Sequence, residues 1–237
     1  MSGSLLLSPI FASSAVSDIF SDRAILQAML DFEAALAAAE AEAGVIPATA
    51  VAPIKAACDV TLYDIAALGQ AAALAGNVAI PLVKALTAKV NERARGYVHW
   101  GATSQDVIDS AFLLCAFRAF TAIRADLTAA LGAAAALVEK HRETIMPGRT
   151  LMQQALPITF GFKATLWLSG LTAAAERLRH VAKNSLALQF GGAAGTLAAL
   201  GDDGGKVRTA LAEKLDARTC RAPQMRIRSA GVSTPSL

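Results

Sequence analysis

The residues best suited to chemistry in this 237-residue chain are gathered in one stretch, His99-Trp100-Gly101-Ala102-Thr103-Ser104-Gln105-Asp106, set in a background rich in Ala and Leu. An imidazole, whose unperturbed pKa lies near neutrality, suits proton transfer or contact with an anion. The hydroxyls and the amide stand at the foot of a long apolar-periodic segment, where a helix start offers unpaired N–H groups and a dipole that favour a carboxylate or phosphate. Thr103 and Asp106 have capping-box spacing, so helix initiation alone explains part of the block. It does not explain His99, Trp100 or the second hydroxyl. His99 is therefore either a substrate contact and proton shuttle or an imidazole hydrogen-bonded to bury a loop. Thr103 and Ser104 cap the helix, bind a carboxylate, or do both.

Other reactive side chains are more scattered. Arg149 is suited to clamping a carboxylate in bidentate fashion or to a helix-end ion pair. His141 falls where a long helix ends, eight residues earlier in the chain, and an imidazolium stabilised by the helix dipole is its simplest role. His180, among Arg177, Arg179 and Lys183, reads as part of a solvated face. Gly191-Gly192-Ala193-Ala194-Gly195-Thr196 is not a GxGxxG fingerprint opening a Rossmann helix. It is either a helix-to-helix turn or a loop with N–H groups facing an anion. Cys58, Cys115 and Cys220 lack the spacing of a disulfide framework or a zinc site.

Three stretches carry a family resemblance. The block from His99 to Asp106, continued by Val107-Ile108-Asp109-Ser110, resembles the first signature of the fumarase/aspartase superfamily and, within it, of the 3-carboxy-cis,cis-muconate cycloisomerase branch. Gly148-Arg149-Thr150-Leu151-Met152-Gln153-Gln154-Ala155-Leu156-Pro157 is similar to the second signature, and Gln189 to Thr196 to the Gly-rich turn after it. The opening, Ser8-Pro9-Ile10-Phe11 through Phe32-Glu33-Ala34-Ala35-Leu36 to Gly44-Val45-Ile46-Pro47, also resembles the family. The resemblance implies a lactonisation in protocatechuate breakdown, in which a substrate carboxylate oxygen adds across a C=C bond and a proton goes to the adjacent carbon. It implies a small polycarboxylate substrate, no metal or organic cofactor, and a homotetramer whose sites draw signatures from different subunits. On that basis His99, Thr150, Gln153 and His141 are the catalytic candidates, with Thr150 and Gln153 donating to a developing enediolate. Thr103, Ser104, Gln105, Arg149 and Gln154 are the substrate-binding candidates. Many superfamily members carry His after this Thr; here it is Leu151, which fits the cycloisomerase branch, leaves the proton donor open and makes His141 a candidate. An adenylosuccinate- or argininosuccinate-type lyase is one alternative, and a non-catalytic helical fragment is another.

The elements that must position these residues are helices. Ser21 can cap a helix from Asp22 to about Ala43 that stops at Gly44, with Ile25, Met29, Phe32, Leu36 and Ala39 forming one apolar stripe. Shorter helices are expected over 50–58, 62–75 and 81–93. From Gln105 to about His141 the pattern stays helical, and between Val107 and Phe117 it is apolar on nearly every face, as for a helix covered on several sides in a bundle. The second signature should form a turn, Pro157 should open another long helix to about Ala182, and a last helix should span about 205–215. No stretch alternates strictly, so no substantial sheet is expected and the fold class is all-α.

Composition agrees. The chain is 54% hydrophobic but only 5% aromatic, a mix that favours closely packed helices. Four arginines against Asp216 in residues 216–237 account for the net charge of +3 and leave residues 1–215 neutral, with no basic face for nucleic acid. The uncharged run 65–83 contains Gln70, Gly76, Asn77 and Pro81 and reads as two buried helices rather than a membrane span. The odd, widely spaced cysteines point to a reducing cytoplasm, and with no Lys or Arg ahead of Leu5-Leu6-Leu7 and no adequate apolar core no signal peptide is expected. The expected organisation is a small N-terminal helical domain over 1–95, a partial central bundle over 96–215 and an irregular, basic, disordered tail over 216–237. The family's third signature, a Gly-Ser-Ser-x-Met-Pro-x-Lys-x-Asn-Pro loop that supplies a serine base, has no counterpart here. A frameshift or premature stop after residue 215 is the favoured explanation, with a short paralogue as the other, and the chain by itself is expected to be inactive.

Overall fold

The structure is a computed structural model that describes residue 10 and residues 14–215, so the expected irregular tail lies outside the described residues. The chain divides into two compact units, residues 1–117 with 186–237, and residues 118–185.

In the first unit, α1 (Ser14–Ile19) leads into α2 (Asp22–Glu42). Ser21 caps α2 by accepting the Ala24 N–H at 3.3 Å, and Gly44, at φ 77°, supplies the left-handed turn that ends it. Then come α3 (Val51–Ala57), α4 (Ile65–Ala75) and α5 (Ala79–Lys89). After the second unit, α8 (Gly204–Lys214) returns to pack on α2. The apolar stripe of α2 is the centre of the core: Met29, Phe32 and Leu36 are buried with Leu82, Leu86, Phe190 and Leu211. Phe32 and Phe190 meet as tilted rings with centroids 6.4 Å apart.

Helix α6 (Ser104–Lys140) is the longest described, with 37 residues, and it supplies residues to both units. Within the first unit Val107, Ala111 and Cys115 form a fully buried stripe at i, i+4, i+8, whereas Phe112 is 47% exposed. The described residues therefore cover one face of a segment whose sequence is apolar nearly all round.

The second unit departs from expectation at the second signature, which is a hairpin rather than a simple turn. Strands β1 (Ile145–Thr150) and β2 (Gln153–Thr159) pair antiparallel, with a register shift between Pro147 and Arg149. Leu151 and Met152 form the two-residue connection with φ of 47° and 62°, the left-handed pair that a tight hairpin turn requires. At the shift, a Cβ on Gly148 would stand 2.7 Å from the Leu156 carbonyl oxygen. Pro147 faces Pro157, two residues with no N–H to donate. Pro157 therefore belongs to β2, and α7 (Phe160–Asn184) begins three residues later, where the Thr159 hydroxyl accepts the Phe162 N–H at 3.1 Å. Apart from this hairpin the fold of the described residues is all-α.

Candidate active site

The first cluster sits where the chain enters α6. Its acid half of the capping box forms: Asp106 Oδ2 accepts the Thr103 N–H at 3.0 Å. The hydroxyl half does not, and neither the Thr103 nor the Ser104 side chain has a hydrogen-bond partner among the described residues. Both are half-buried and stand at the first turn, where the Asp106 N–H bonds the Thr103 carbonyl at 3.0 Å and those of Ser104 and Gln105 have no partner among the described residues. Gln105 is exposed and its amide bonds Asp109 at 3.2 Å.

Asp106 also has a role not read from the sequence. Its side chain is fully buried, and it accepts the N–H of Gly191 through Oδ1 and that of Gly192 through Oδ2, each at 2.9 Å. The Gly-rich turn does face an anion, but that anion belongs to the chain itself. Burial pushes the Asp106 carboxyl above its usual range, against the N–H bonds from Gly191, Gly192 and Thr103, which pull it down. The approach of the two loops is close: a Cβ on Gly192 would lie 2.9 Å from the Gly101 carbonyl oxygen, and one on Gly101 2.7 Å from Leu200. Ser110, one turn further along α6, donates to the Gln189 carbonyl at 2.7 Å.

His99 is the second unexpected connection. Its Nδ1 lies 2.5 Å from Oε1 of Glu33 on α2, 66 residues earlier. Burial alone would lower the imidazole pKa, but the hydrogen bond to Glu33, its charge and that of Asp106 outweigh burial and hold it above 6.5. The sequence carried a faint signal for Glu33: with Glu40 it stands seven residues along, on the face of α2 that holds Met29, Phe32 and Leu36. A carboxylate at core positions of an Ala- and Leu-rich helix calls for a partner. Glu33 has one in His99; both oxygens of Glu40 have none among the described residues, and burial followed by the Glu33 charge pushes its pKa up to about 9.

The second cluster occupies the end of the hairpin. Arg149 stands opposite Gln154, and Thr150 opposite Gln153, in the last two rungs before the turn. Residues directly opposite in an antiparallel pair share a face, so Arg149 and Gln154 lie on one and Thr150 and Gln153 on the other. All four are exposed. Leu151 and Met152 at the tip are 95% and 99% exposed. His141 stands just past α6, its Nδ1 3.2 Å from the Thr144 hydroxyl and its ring edge-on to Phe160 with centroids 5.0 Å apart. Its carbonyl accepts the Gly161 N–H at 2.8 Å, so it closes the turn from which α7 departs. His180 bonds Asn184 on the exposed side of α7. His99, Thr103, Ser104 and Gln105 thus belong to the first unit, and His141, Arg149, Thr150, Gln153 and Gln154 to the second. Among the described residues no helix is long and apolar enough to cross a membrane.

Residues 11–230 match the model of a family described as lyase. The chain is 54% identical over 221 residues to a 3-carboxy-cis,cis-muconate cycloisomerase of Bradyrhizobium diazoefficiens, covering 92% of this chain and 49% of that one. It is 51% identical over 208 residues to the protein of the same name from Pseudomonas aeruginosa, covering 86% and 45%. The crystal structure of the 3-carboxy-cis,cis-muconate lactonizing enzyme from Pseudomonas putida is similar over 93% of this chain and 50% of that one, with a TM-score of 0.89 and 46% identity. The chain spans about half the length of the curated relatives it matches.

Proposed function

This chain belongs to the lyase family, and we propose from that premise that it carries part of the site of a 3-carboxy-cis,cis-muconate cycloisomerase. The observation that carries the proposal is the start of α6, where two hydroxyls without a partner among the described residues stand at a helix N-terminus beside a histidine held by a buried carboxylate. Thr103 and Ser104 bind a carboxylate of the substrate, helped by the free N–H groups and dipole of the first turn. His99 supplies positive charge and a proton. Closing the lactone forms one C–O bond and delivers one proton to the adjacent carbon, so clamps and a proton shuttle suffice. Arg149, Thr150, Gln153 and Gln154 bring further donors from the hairpin of another subunit in the assembly. The leucine after Thr150 leaves no imidazole at the tip, and His141 is engaged in closing its own turn, so His99 is the better candidate for the proton.

The organisation we favour has residues 1–95 as a helical N-terminal domain and 96–215 as the first part of a long-helix bundle. The functional assembly is a cytoplasmic homotetramer acting on a small polycarboxylate. A chimera joining residues 1–215 to the remaining half of the Bradyrhizobium diazoefficiens relative provides the test. Two hydroxyl bonds to a charged group are worth about 3 kcal/mol together, so replacing Thr103 and Ser104 by Ala should weaken calorimetric binding of propane-1,2,3-tricarboxylate about 100-fold. With no cap bond to lose, the same change should cost folding no more than about 1 kcal/mol. Unchanged binding would remove the carboxylate role.

A further inference from the structure

Helix α2 points Glu33 into the core, 1% exposed, and its Oε2 has no partner among the described residues. Packing does not require a carboxylate there; an apolar residue of similar size would avoid the desolvation it suffers. His99 is held at a backbone φ of 58°, the left-handed region that disfavours residues with a Cβ. A desolvated carboxylate and a strained histidine meet in one hydrogen bond, Oε1 to Nδ1 at 2.5 Å. Two unfavourable local choices at one contact, on segments 66 residues apart, mark a built arrangement.

We propose that Glu33 is a positioning residue that accepts the Nδ1 proton of His99 and so leaves Nε2 as the ring atom that exchanges protons with bound substrate. This rests on the cycloisomerase assignment above. During lactonisation the Nε2 proton of the imidazolium would pass to the substrate carbon, leaving a neutral ring whose Nδ1–H still donates to Glu33. No other proton need move. A buried acceptor on one ring nitrogen fixes the tautomer and orientation of the other, as in metal-bound and triad histidines. The Nε2 atom has no partner among the described residues, and 14% of the His99 side chain remains exposed. The groups coupled to the pair by charge are Glu40 of α2, Cys58 and Tyr63 beyond α3, and Asp106 of α6. Burial and the charges of Glu33 and Asp31 push the Cys58 thiol up to about 12, so it stays neutral while His99 titrates.

The test is a nitrogen-15 NMR titration of the three histidines in the 237-residue chain, assigned with His141→Gln and His180→Gln. Neutral His99 at high pH should carry its proton on Nδ1 and titrate with a midpoint above 6.5. Glu33→Gln should lower that midpoint by about one pH unit and leave His141 and His180 unmoved. A proton on Nε2 in neutral wild-type His99, or a midpoint unmoved in folded Glu33→Gln, would overturn the proposal. If Glu33→Gln does not fold, the wild-type tautomer decides alone. Neither readout requires turnover, so failure here is distinct from failure of the cycloisomerase assignment.

Discussion

Replacing Asp106 by Ala should destabilise the chain by about 4 kcal/mol, several times the effect of the same change at Asp109 one turn along the helix. The Asp106 carboxylate is fully buried and accepts the N–H groups of Gly191, Gly192 and Thr103. Its removal leaves those donors unpaired, at about 1–3 kcal/mol for each buried group. Part of that loss is offset because the carboxylate itself no longer has to be desolvated, an unfavourable contribution visible in its raised pKa. What remains is comparable with the net stability of many domains, about 5–15 kcal/mol. Among the described residues Asp109 accepts a bond only from the exposed Gln105 amide, so Asp109→Ala should stay within about 0.5 kcal/mol of wild type. Urea unfolding of both variants checks this, read as a change in midpoint at constant m. Equal, small losses would mean that Asp106 does not hold the Gly-rich turn.

Stability should also fall as pH rises from 5 to 8, and Glu40 should account for most of the slope. Its folded pKa, pushed up to about 9, lies above the ordinary 4.5, so the folded chain binds the proton more tightly than the unfolded one. The contribution is therefore complete below 4.5 and is lost progressively as pH climbs towards 9. Each pH unit within that window is worth about 1.4 kcal/mol, so roughly 3 kcal/mol should disappear between pH 5 and 7.5. His99 and Asp106, also raised, add slopes of the same sign. Asp59, lowered by its bonds from the Thr61 backbone and hydroxyl, acts in the opposite sense only at more acidic pH. Glu40→Gln removes the ionisation and should flatten the profile while raising stability at pH 7.5 by about 4 kcal/mol. A wild-type profile that is level or rises over this range, or an equal slope in Glu40→Gln, would contradict the assignment.

What could be read from the sequence follows the range of the interactions involved. Helices α2 and α6 were legible because their signals are local: a Ser cap, a Gly stop and an apolar period of 3.6. The hairpin was not. Its strands are exposed on both faces apart from Gly148 and a few half-buried positions, so no alternation marks them, and Pro157 suits the first turn of a helix as well as a strand. The pairing depends on the left-handed Leu151 and Met152, residues with no intrinsic preference for that region. In the site, the helix start was legible and its hydroxyls, imidazole and amide were singled out. The two contacts that organise it, Asp106 to a glycine turn 85 residues later and His99 to Glu33 on α2, are tertiary, and no local period encodes them. Glu33 and Glu40 were legible only as an oddity, two carboxylates seven apart on an apolar face.

Because the chain spans about half the length of its relatives, turnover is the most direct test of the central claim. The chimera of residues 1–215 with the remaining half of the Bradyrhizobium diazoefficiens relative should be supplied with 3-carboxy-cis,cis-muconate and followed by loss of its ultraviolet absorbance, beside the 237-residue chain alone. The chimera is expected to form the lactone and the lone chain to form none. A folded chimera that leaves the substrate unchanged, or a lone chain that lactonises it, would contradict the account.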